Sequence, residues 1–241
     1  MTLWYNKVVM AQTLPINDVR SVKGRGYLLN KGTDTFSARI VTLNGRITSE
    51  QARKLADIAD TYGNGKLTFT TRLSVEMPGI PFAKIDAFEA AIKAIGLSVG
   101  GTGPKVRPVV ACKGTTCPCG LVDTFALAEA IHKKFYLGWH DIVLPGKFKI
   151  AVGGCPNNCV KPDLNDIGIV GKLLPGNKRG YQIFLGGHWG RTGGAGKPMV
   201  VVETPDEVLS YIEKVLVYYR DHGKKGERFF KTLARLGPGL V

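Results

Sequence analysis

The chain has 241 residues, of which 44% are hydrophobic and 22% are charged, and its formal net charge is +14. This composition excludes disordered, collagen-like and coiled-coil chains, and the length allows one large domain or two small ones. No apolar run is long enough for a transmembrane helix. The basic residues are spread along the chain, which argues against a basic nucleic-acid-binding tail.

The N-terminal segment carries no apolar stretch typical of a secretory signal, because Asn6, Lys7 and Gln12 interrupt it. We therefore expect a cytoplasmic protein, in which thiols stay reduced. In that setting the five cysteines indicate metal ligands rather than disulfides.

The first part of the chain predicts a small α+β half-domain. Residues 1–36 are irregular in pattern and are interpreted as an N-terminal extension. A helix is predicted from Thr48, because Thr48 and Gln51 form a capping box. The apolar face of this helix is predicted to include Ala52 and Leu55. The remaining predicted elements of this half-domain, residues 37–103, are strands at 37–43 and 66–75 and a helix at 82–95.

The second part, residues 104–241, predicts a mixed domain that opens with a cysteine-rich loop. Thr204 and Pro205 mark a strong helix start, with an N-cap residue followed by proline. The other predicted elements are helices at 121–136 and 227–236 and strands at 147–152, 167–173, 180–185 and 198–203.

The cysteines fall into two groups in loops rich in glycine, proline and asparagine. Cys112, Cys117 and Cys119 form the first group, and Cys155 and Cys159 form the second. Two pairs of thiolates supply four soft ligands, which suit either tetrahedral zinc or an iron–sulfur cluster. The spacing alone does not decide between these two metals.

Basic residues precede both cysteine groups. Lys147 and Lys149 lie two positions apart on a predicted strand, so their side chains should project from the same face. Two ammonium groups on one face repel each other, which favours an anion bound between them. Arg72 closes the predicted strand at 66–75, and Arg107 lies just before the first cysteine.

Together these motifs resemble the sirohaem-dependent sulfite and nitrite reductases, over roughly residues 37–172. The resemblance is strongest to the compact members that contain a single repeat. It implies an α+β fold in which a ferredoxin-like half-domain is followed by a sirohaem- and [4Fe-4S]-binding domain. The motifs that carry it are Thr70-Thr71-Arg72, Val106-Arg107, Cys112-x4-Cys117-Pro, Leu144-Pro-x-Lys147-Phe-Lys149 and Gly154-Cys155-Pro-Asn-x-Cys159.

The resemblance also implies residue roles. The substrate anion would be bound and protonated by four cationic residues: Arg72, Arg107, Lys147 and Lys149. The [4Fe-4S] cluster would be held by four thiolates: Cys112, Cys117, Cys155 and Cys159. Cys159 would also bridge to the haem iron. Cys119 stays an alternative to Cys117, because the family often has five residues, not four, between its first two cysteines. Further sirohaem contacts are expected from Arg72, Thr71, Arg107, Asn157 and Arg191.

The implied reaction is the six-electron reduction of sulfite to sulfide or of nitrite to ammonia, with electrons from a separate donor protein. Because large family members split the lysines and the cysteines between two repeats, a single-repeat chain suggests a homodimer with composite sites, with a related two-subunit complex as the alternative. Two alternatives remain at this point. One is an iron–sulfur electron-transfer or accessory subunit without its own haem, and the other is a zinc-stapled nucleic-acid-binding protein. Neither a nucleic acid nor a membrane is expected as a partner.

Overall fold

The computed structural model describes residues 13–237 and residue 239. Residues 1–12 lie outside the described residues; they include the start of the predicted N-terminal extension and most of the segment predicted to carry no secretory signal. The chain divides into two units, each with its own core. The first contains Ile47–Thr102 and the described residues up to Thr42, and the second contains Leu43–Arg46 and the described residues from Gly103 onward. No helix in the described ranges is long and apolar enough to cross a membrane.

The first unit is an antiparallel sheet packed against helices. Its strands are β1 (Tyr27–Leu29), β2 (Thr35–Val41), β3 (Thr68–Phe69), β4 (Val75–Pro81) and β5 (Ser98–Val99), and its helices are α1 (Ile16–Lys23), α2 (Ser49–Tyr62) and α3 (Ile85–Ala94). The strand order is β1-β2-β4-β3, and β5 pairs with the end of β2. Alternate residues of β2 and β4 are buried, because every second side chain of a strand faces the same side.

Helix α2 follows its sequence signal closely. The side chain of Thr48 accepts a hydrogen bond from the N–H of Gln51, and the Gln51 side chain accepts one from the N–H of Thr48. The predicted capping box is therefore confirmed. Leu55 is fully buried, but Ala52, predicted on the same apolar face, is exposed.

The region before residue 37 is more ordered than its irregular pattern predicts. Helix α1 buries Val22, and β1 pairs with β2 through Tyr27 and Ala38. Within the predicted extension, the structure thus contains a helix and a strand that the sequence pattern did not indicate. These elements are short, so a pattern of apolar spacing had few residues in which to appear.

The strand predicted at residues 66–75 is two strands joined by a tight turn. Leu73 adopts a φ of 58° in this turn, a left-handed conformation that L-residues rarely adopt. The hydroxyl of Thr70 accepts hydrogen bonds from the N–H groups of Arg72 and Ser74. In a continuous strand, these N–H groups would instead bond to a neighbouring strand. Thr71 and Arg72 therefore lie in a turn, not at the end of a strand.

The second unit is a mixed sheet in the order β10-β9-β8-β7-β6. Its strands are β6 (Val110–Ala111), β7 (Ile150–Gly153), β8 (Ile167–Leu173), β9 (Arg179–Leu185) and β10 (Lys197–Val202), and its helices are α4 (Thr124–Ile131), α5 (Pro205–His222) and α6 (Phe229–Leu236). Strands β6, β7 and β8 run parallel, and β9 and β10 continue antiparallel. The α+β class expected from the sequence is confirmed.

Helices α4 and α5 begin as their capping residues predict. The carboxylate of Asp123 accepts from the N–H groups of Phe125 and Ala126, and Thr204 forms a reciprocal capping box with Glu207. The predicted helix at 121–136 starts later and changes type, because α4 continues as a π-helical turn, His132–Leu137. The core of this unit joins one face of the sheet to α4, α5 and α6 through Ile150, Val152, Ile167, Ile169, Ile183, Leu127, Ile131, Ile212, Leu216 and Phe229.

Candidate functional site

The two cysteine loops begin side by side at one edge of the second sheet. Cys112 follows β6 directly, and Cys155 follows β7 after one glycine. Strands β6 and β7 are parallel neighbours, and the N–H of Cys112 donates to the carbonyl of Val152 at 3.1 Å. Because the carboxyl ends of parallel strands meet at the same edge, two cysteine groups distant in sequence lie next to each other.

Gly154 ties these loops together. Its N–H donates to the Sγ of Cys112 at 3.1 Å, and its carbonyl accepts from the N–H of Leu121 at 2.8 Å. A second N–H, from Gly114, lies 3.4 Å from the same sulfur. A Cβ at Gly154 would lie 3.3 Å from Gly114 Cα and 3.4 Å from Cys112 Sγ. Two backbone N–H groups therefore point at the Cys112 sulfur, the atom that would bind a metal.

The remaining cysteines differ in exposure. Cys117 and Cys155 are half-buried, whereas Cys119 and Cys159 are exposed. The segment that contains Cys159 is closed by Asn158, whose side-chain amide donates to Asp163 at 2.8 Å. Within residues 13–237 and 239, no three His, Cys, Asp or Glu side chains already converge on one metal-ion position.

The opposite edge of the same sheet carries cationic residues. The segments before β6 and β7 pair through a parallel bridge between Val106 and Phe148, and the N–H of Arg107 donates to the carbonyl of Phe148 at 2.8 Å. The predicted strand start at residue 147 was too early, since regular pairing begins at Ile150. Pro108 has no N–H to donate, which is consistent with the interrupted ladder.

Phe148 determines which way its neighbours face. Its ring is fully buried, with centroids 5.5 Å from Tyr219 and 5.2 Å from Phe229. Side chains alternate along an extended backbone, so Lys147 and Lys149 both face away from this aromatic cluster. Lys147 is exposed and Lys149 is half-buried.

The pKa of Lys147 lies below its usual range. The largest cause is that neighbouring atoms displace part of the water around the ammonium group; repulsion by Arg228 and Arg107 lowers the pKa further, while Asp166 raises it. A lysine in such surroundings gives up its proton more readily than one in water.

Arg228 and Asp166 are site neighbours that the sequence reasoning missed. Asp166 is fully buried and accepts from the N–H of Lys149 at 2.9 Å and from Nη2 of Arg228 at 3.2 Å to each oxygen. Burial raises the pKa of Asp166, and Arg228 opposes that rise. The two residues are 62 positions apart, so no local spacing indicates the pair.

The first unit carries the other predicted arginine. Arg72 is half-buried and Thr71 is exposed in the turn between β3 and β4. The second unit brings Arg107, Lys147 and Lys149 to one edge of its sheet, and Arg72 belongs to the first unit.

Two further predicted cofactor contacts lie in exposed loops of the second unit. Asn157 is exposed between the second pair of cysteines, and Arg191 is exposed in a glycine-rich hairpin. His188 and Gly194 close this hairpin through two backbone hydrogen bonds of 2.9 and 3.0 Å. The ring of His188 stacks on Phe230 at 3.7 Å, which anchors the hairpin to α6.

Two family models match the chain. The nitrite and sulphite reductase 4Fe-4S domain matches residues 102–239, and the nitrite/sulfite reductase ferredoxin-like half domain matches residues 28–95. The predicted order of a ferredoxin-like half followed by a cluster-binding domain is confirmed by these matches.

Similar proteins agree with these family models. The chain is 31% identical to the coenzyme F420-dependent sulfite reductase of Methanocaldococcus jannaschii, over 79% of this chain but only 38% of that protein. It is 28% identical to an uncharacterized protein of the same organism, over 83% of this chain and 86% of that protein. The structure of Mycobacterium tuberculosis NirA superposes with a TM-score of 0.73 at 27% identity, over 83% of this chain and 38% of the NirA chain.

These matches imply a [4Fe-4S] cluster and sirohaem as cofactors. The donor chemistry of the second unit fits both groups. Thiolates on two touching loops suit an iron–sulfur cluster, and a cationic edge suits the carboxylates of sirohaem. The chain belongs to the sirohaem-dependent nitrite and sulfite reductases, a family of oxidoreductases.

Proposed function

We propose that the protein reduces sulfite to sulfide with six electrons and protons, releasing three waters, and that nitrite reduction to ammonia is the second candidate reaction. The observation that carries the proposal is the layout of the second unit, in which thiolate loops and an anion-attracting edge occupy the two ends of the same parallel strands. When bound, sirohaem and the cluster supply an iron at which the anion binds and the route by which electrons reach it.

The cluster would be held by four thiolates: Cys112, Cys117, Cys155 and Cys159. Cys117 is half-buried in a turn in which its N–H donates to Gly114 at 2.9 Å, whereas Cys119 is exposed. Cys117 rather than Cys119 is assigned as the ligand, because Cys117-Pro118 matches the Cys-Pro pair of the family motif. Cys159, which matches the last cysteine of the family motif, would also supply the thiolate shared with the haem iron.

The anion would be held by arginines and protonated by lysines. Arg72 and Arg107 stay charged at all relevant pH values and offer planar pairs of donors to oxyanions. Lys147 and Lys149 would donate protons, or order the waters that do, as oxygen leaves the substrate. The lowered pKa of Lys147 supports its role as a proton donor.

Sirohaem carries eight carboxylates, and the net charge of +14 offers partners for them. Besides Arg72 and Arg107, we assign Thr71, Asn157 and Arg191 to the macrocycle. The exposure of the last three supports this assignment, because their polar groups can reach a bound group.

The sites would be composite, each built from two copies of the chain. Lys149 lies six residues before Cys155 along β7, a span of up to about 20 Å in extended backbone. One copy therefore presents its lysines and its thiolates at opposite strand ends. A two-fold homodimer would complete each site with the lysines of one protomer and the cysteines of its partner. A separate donor protein would supply electrons, and the reduced thiols required suit a cytoplasmic setting.

A visible spectrum of anaerobically purified protein tests the cofactors. Haem bands together with broad cluster absorption are expected. Cluster absorption alone would instead support an accessory electron-transfer subunit without its own haem. Turnover with a chemical reductant, first with sulfite and then with nitrite, would identify the substrate, and no turnover with either would refute the proposed reaction.

A matched pair of variants tests the ligand assignment. Cys117→Ser should abolish cluster binding, because one of four thiolates is lost, while Cys119→Ser should retain the full iron and sulfide content. The reverse result would make Cys119 the ligand. Light scattering of the loaded protein tests the assembly, and an active, haem-loaded monomer would contradict composite sites.

A further inference from the structure

The lysine segment is held in place by the start of the C-terminal helix. The N–H of Gly226 donates to the carbonyl of Pro145 at 2.8 Å. A Cβ added at Gly146 would lie 2.7 Å from the carbonyl oxygen of Glu227, so the two segments are in close contact. Arg228 is the next residue after Glu227 and is the N-cap of α6. The same short segment therefore supports the backbone before Lys147 and brings a guanidinium to it.

Asp166 fixes that guanidinium. Both of its oxygens accept from Nη2 of Arg228 at 3.2 Å, and one also accepts the N–H of Lys149 at 2.9 Å. The carboxylate is fully buried, and the Arg228 side chain is 18% exposed. A buried carboxylate bound in this way is costly to displace, so the arginine and the lysine backbone share one rigid anchor.

We propose that Arg228, clamped by Asp166, is a positioning residue for the proton-donating lysines: through the carboxylate that also accepts the N–H of Lys149, it holds the 147–149 segment in place and sets a second positive charge beside that segment. The inference rests on the proposed function, since it gives Lys147 its role as donor. Arg228 itself is not assigned a contact with the substrate.

The charges that face Lys147 come from three segments. Arg107 lies before β6, Arg228 lies before α6, and Asp166 lies before β8. The two arginines favour loss of the lysine proton and the aspartate favours its retention. Variants of Arg228 and Asp166 should therefore move the proton affinity of Lys147 in opposite directions.

Competitive acetylation of the full, cofactor-loaded protein with trace acetic anhydride measures this affinity. Only the unprotonated amine reacts, so the yield at Lys147 against pH, read by mass spectrometry, gives its titration midpoint. Arg228→Gln should move the midpoint to higher pH, and Asp166→Asn should move it to lower pH. Arg235→Gln is the matched control: it removes a charge from α6 that pairs with Glu227, and it should leave the midpoint unchanged.

Asp166→Asn keeps the shape of the side chain and an oxygen that can accept the N–H of Lys149. It therefore tests the effect of this pair on the Lys147 midpoint even if Arg228→Gln fails to fold. An unchanged midpoint in Asp166→Asn would overturn the proposal. The alkaline limb of the kcat profile should move in the same direction as the midpoint in each variant. Acetylation requires no turnover, so the two hypotheses can fail separately. If the variants shift the Lys147 midpoint but the protein reduces neither sulfite nor nitrite, only the proposed reaction is refuted. If the protein is active but the variants leave the Lys147 midpoint unchanged, only the positioning role is refuted.

Discussion

Gly171 offers a sharp test of how the sheet supports the cysteine loops. It lies in β8, and a Cβ added there would sit 2.4 Å from the carbonyl oxygen of Gly154 and 2.9 Å from Cγ2 of Val122. Gly154 is the residue that donates to Cys112 Sγ. Because the nearest obstacle is backbone, Gly171→Ala must displace the loop at the point where the two cysteine groups meet.

The expected cost of Gly171→Ala is that of overpacking a close contact, about 1–3 kcal/mol of unfolding free energy. Urea unfolding of the cofactor-free chain measures that cost. Iron and acid-labile sulfide per chain measure the second expected effect, partial loss of the cluster. Gly24→Ala is the control, because a Cβ there meets nothing within 4 Å and the backbone is helical at φ −69°. Wild-type stability with full cluster content in Gly171→Ala would refute the reasoning.

Two further predictions concern α6 and its surroundings. Phe148→Ala should destabilise the protein by about 3–5 kcal/mol in urea unfolding, because its ring is fully buried between Tyr219 and Phe229; a loss below about 1 kcal/mol would contradict the packing. The pKa of Glu227 is lowered from 4.5 to about 2, chiefly by its hydrogen bond with Arg235. The charged form stabilises the fold, so stability should fall as pH drops from 4.5 toward 2. Glu227→Gln should flatten that pH dependence, and an equally steep fall in the variant would disprove it.

Local signals predicted much of this fold. Thr48 and Thr204 mark helix starts because a capping side chain bonds to backbone only three residues away. The strand predicted at 167–173 matches β8 residue for residue. The grouping of Cys112 with Cys155 was also predictable, because glycine and proline around the cysteines indicate loops that can enclose a metal centre.

The missed features depend on distant partners or on unusual backbone. The turn at Leu73 interrupts a β-rich sequence with a positive φ that composition does not indicate. The bond between Asp166 and Arg228 links residues that only the folded sheet and α6 bring together. Lys147 and Lys149 face one side as predicted, yet the cause is the burial of Phe148 against two helices rather than membership of a regular strand.

The lysines precede β7 and the second pair of cysteines follows it, and this arrangement has a genetic consequence. In the proposed composite dimer, a chain lacking Lys147 and Lys149 and a chain lacking its cluster cysteines would each be inactive alone, since every site of either homodimer would carry the defect. Mixed dimers would gather both defects into one site and leave the other site whole. Two inactive alleles expressed together should therefore complement each other, whereas two lysine alleles should not.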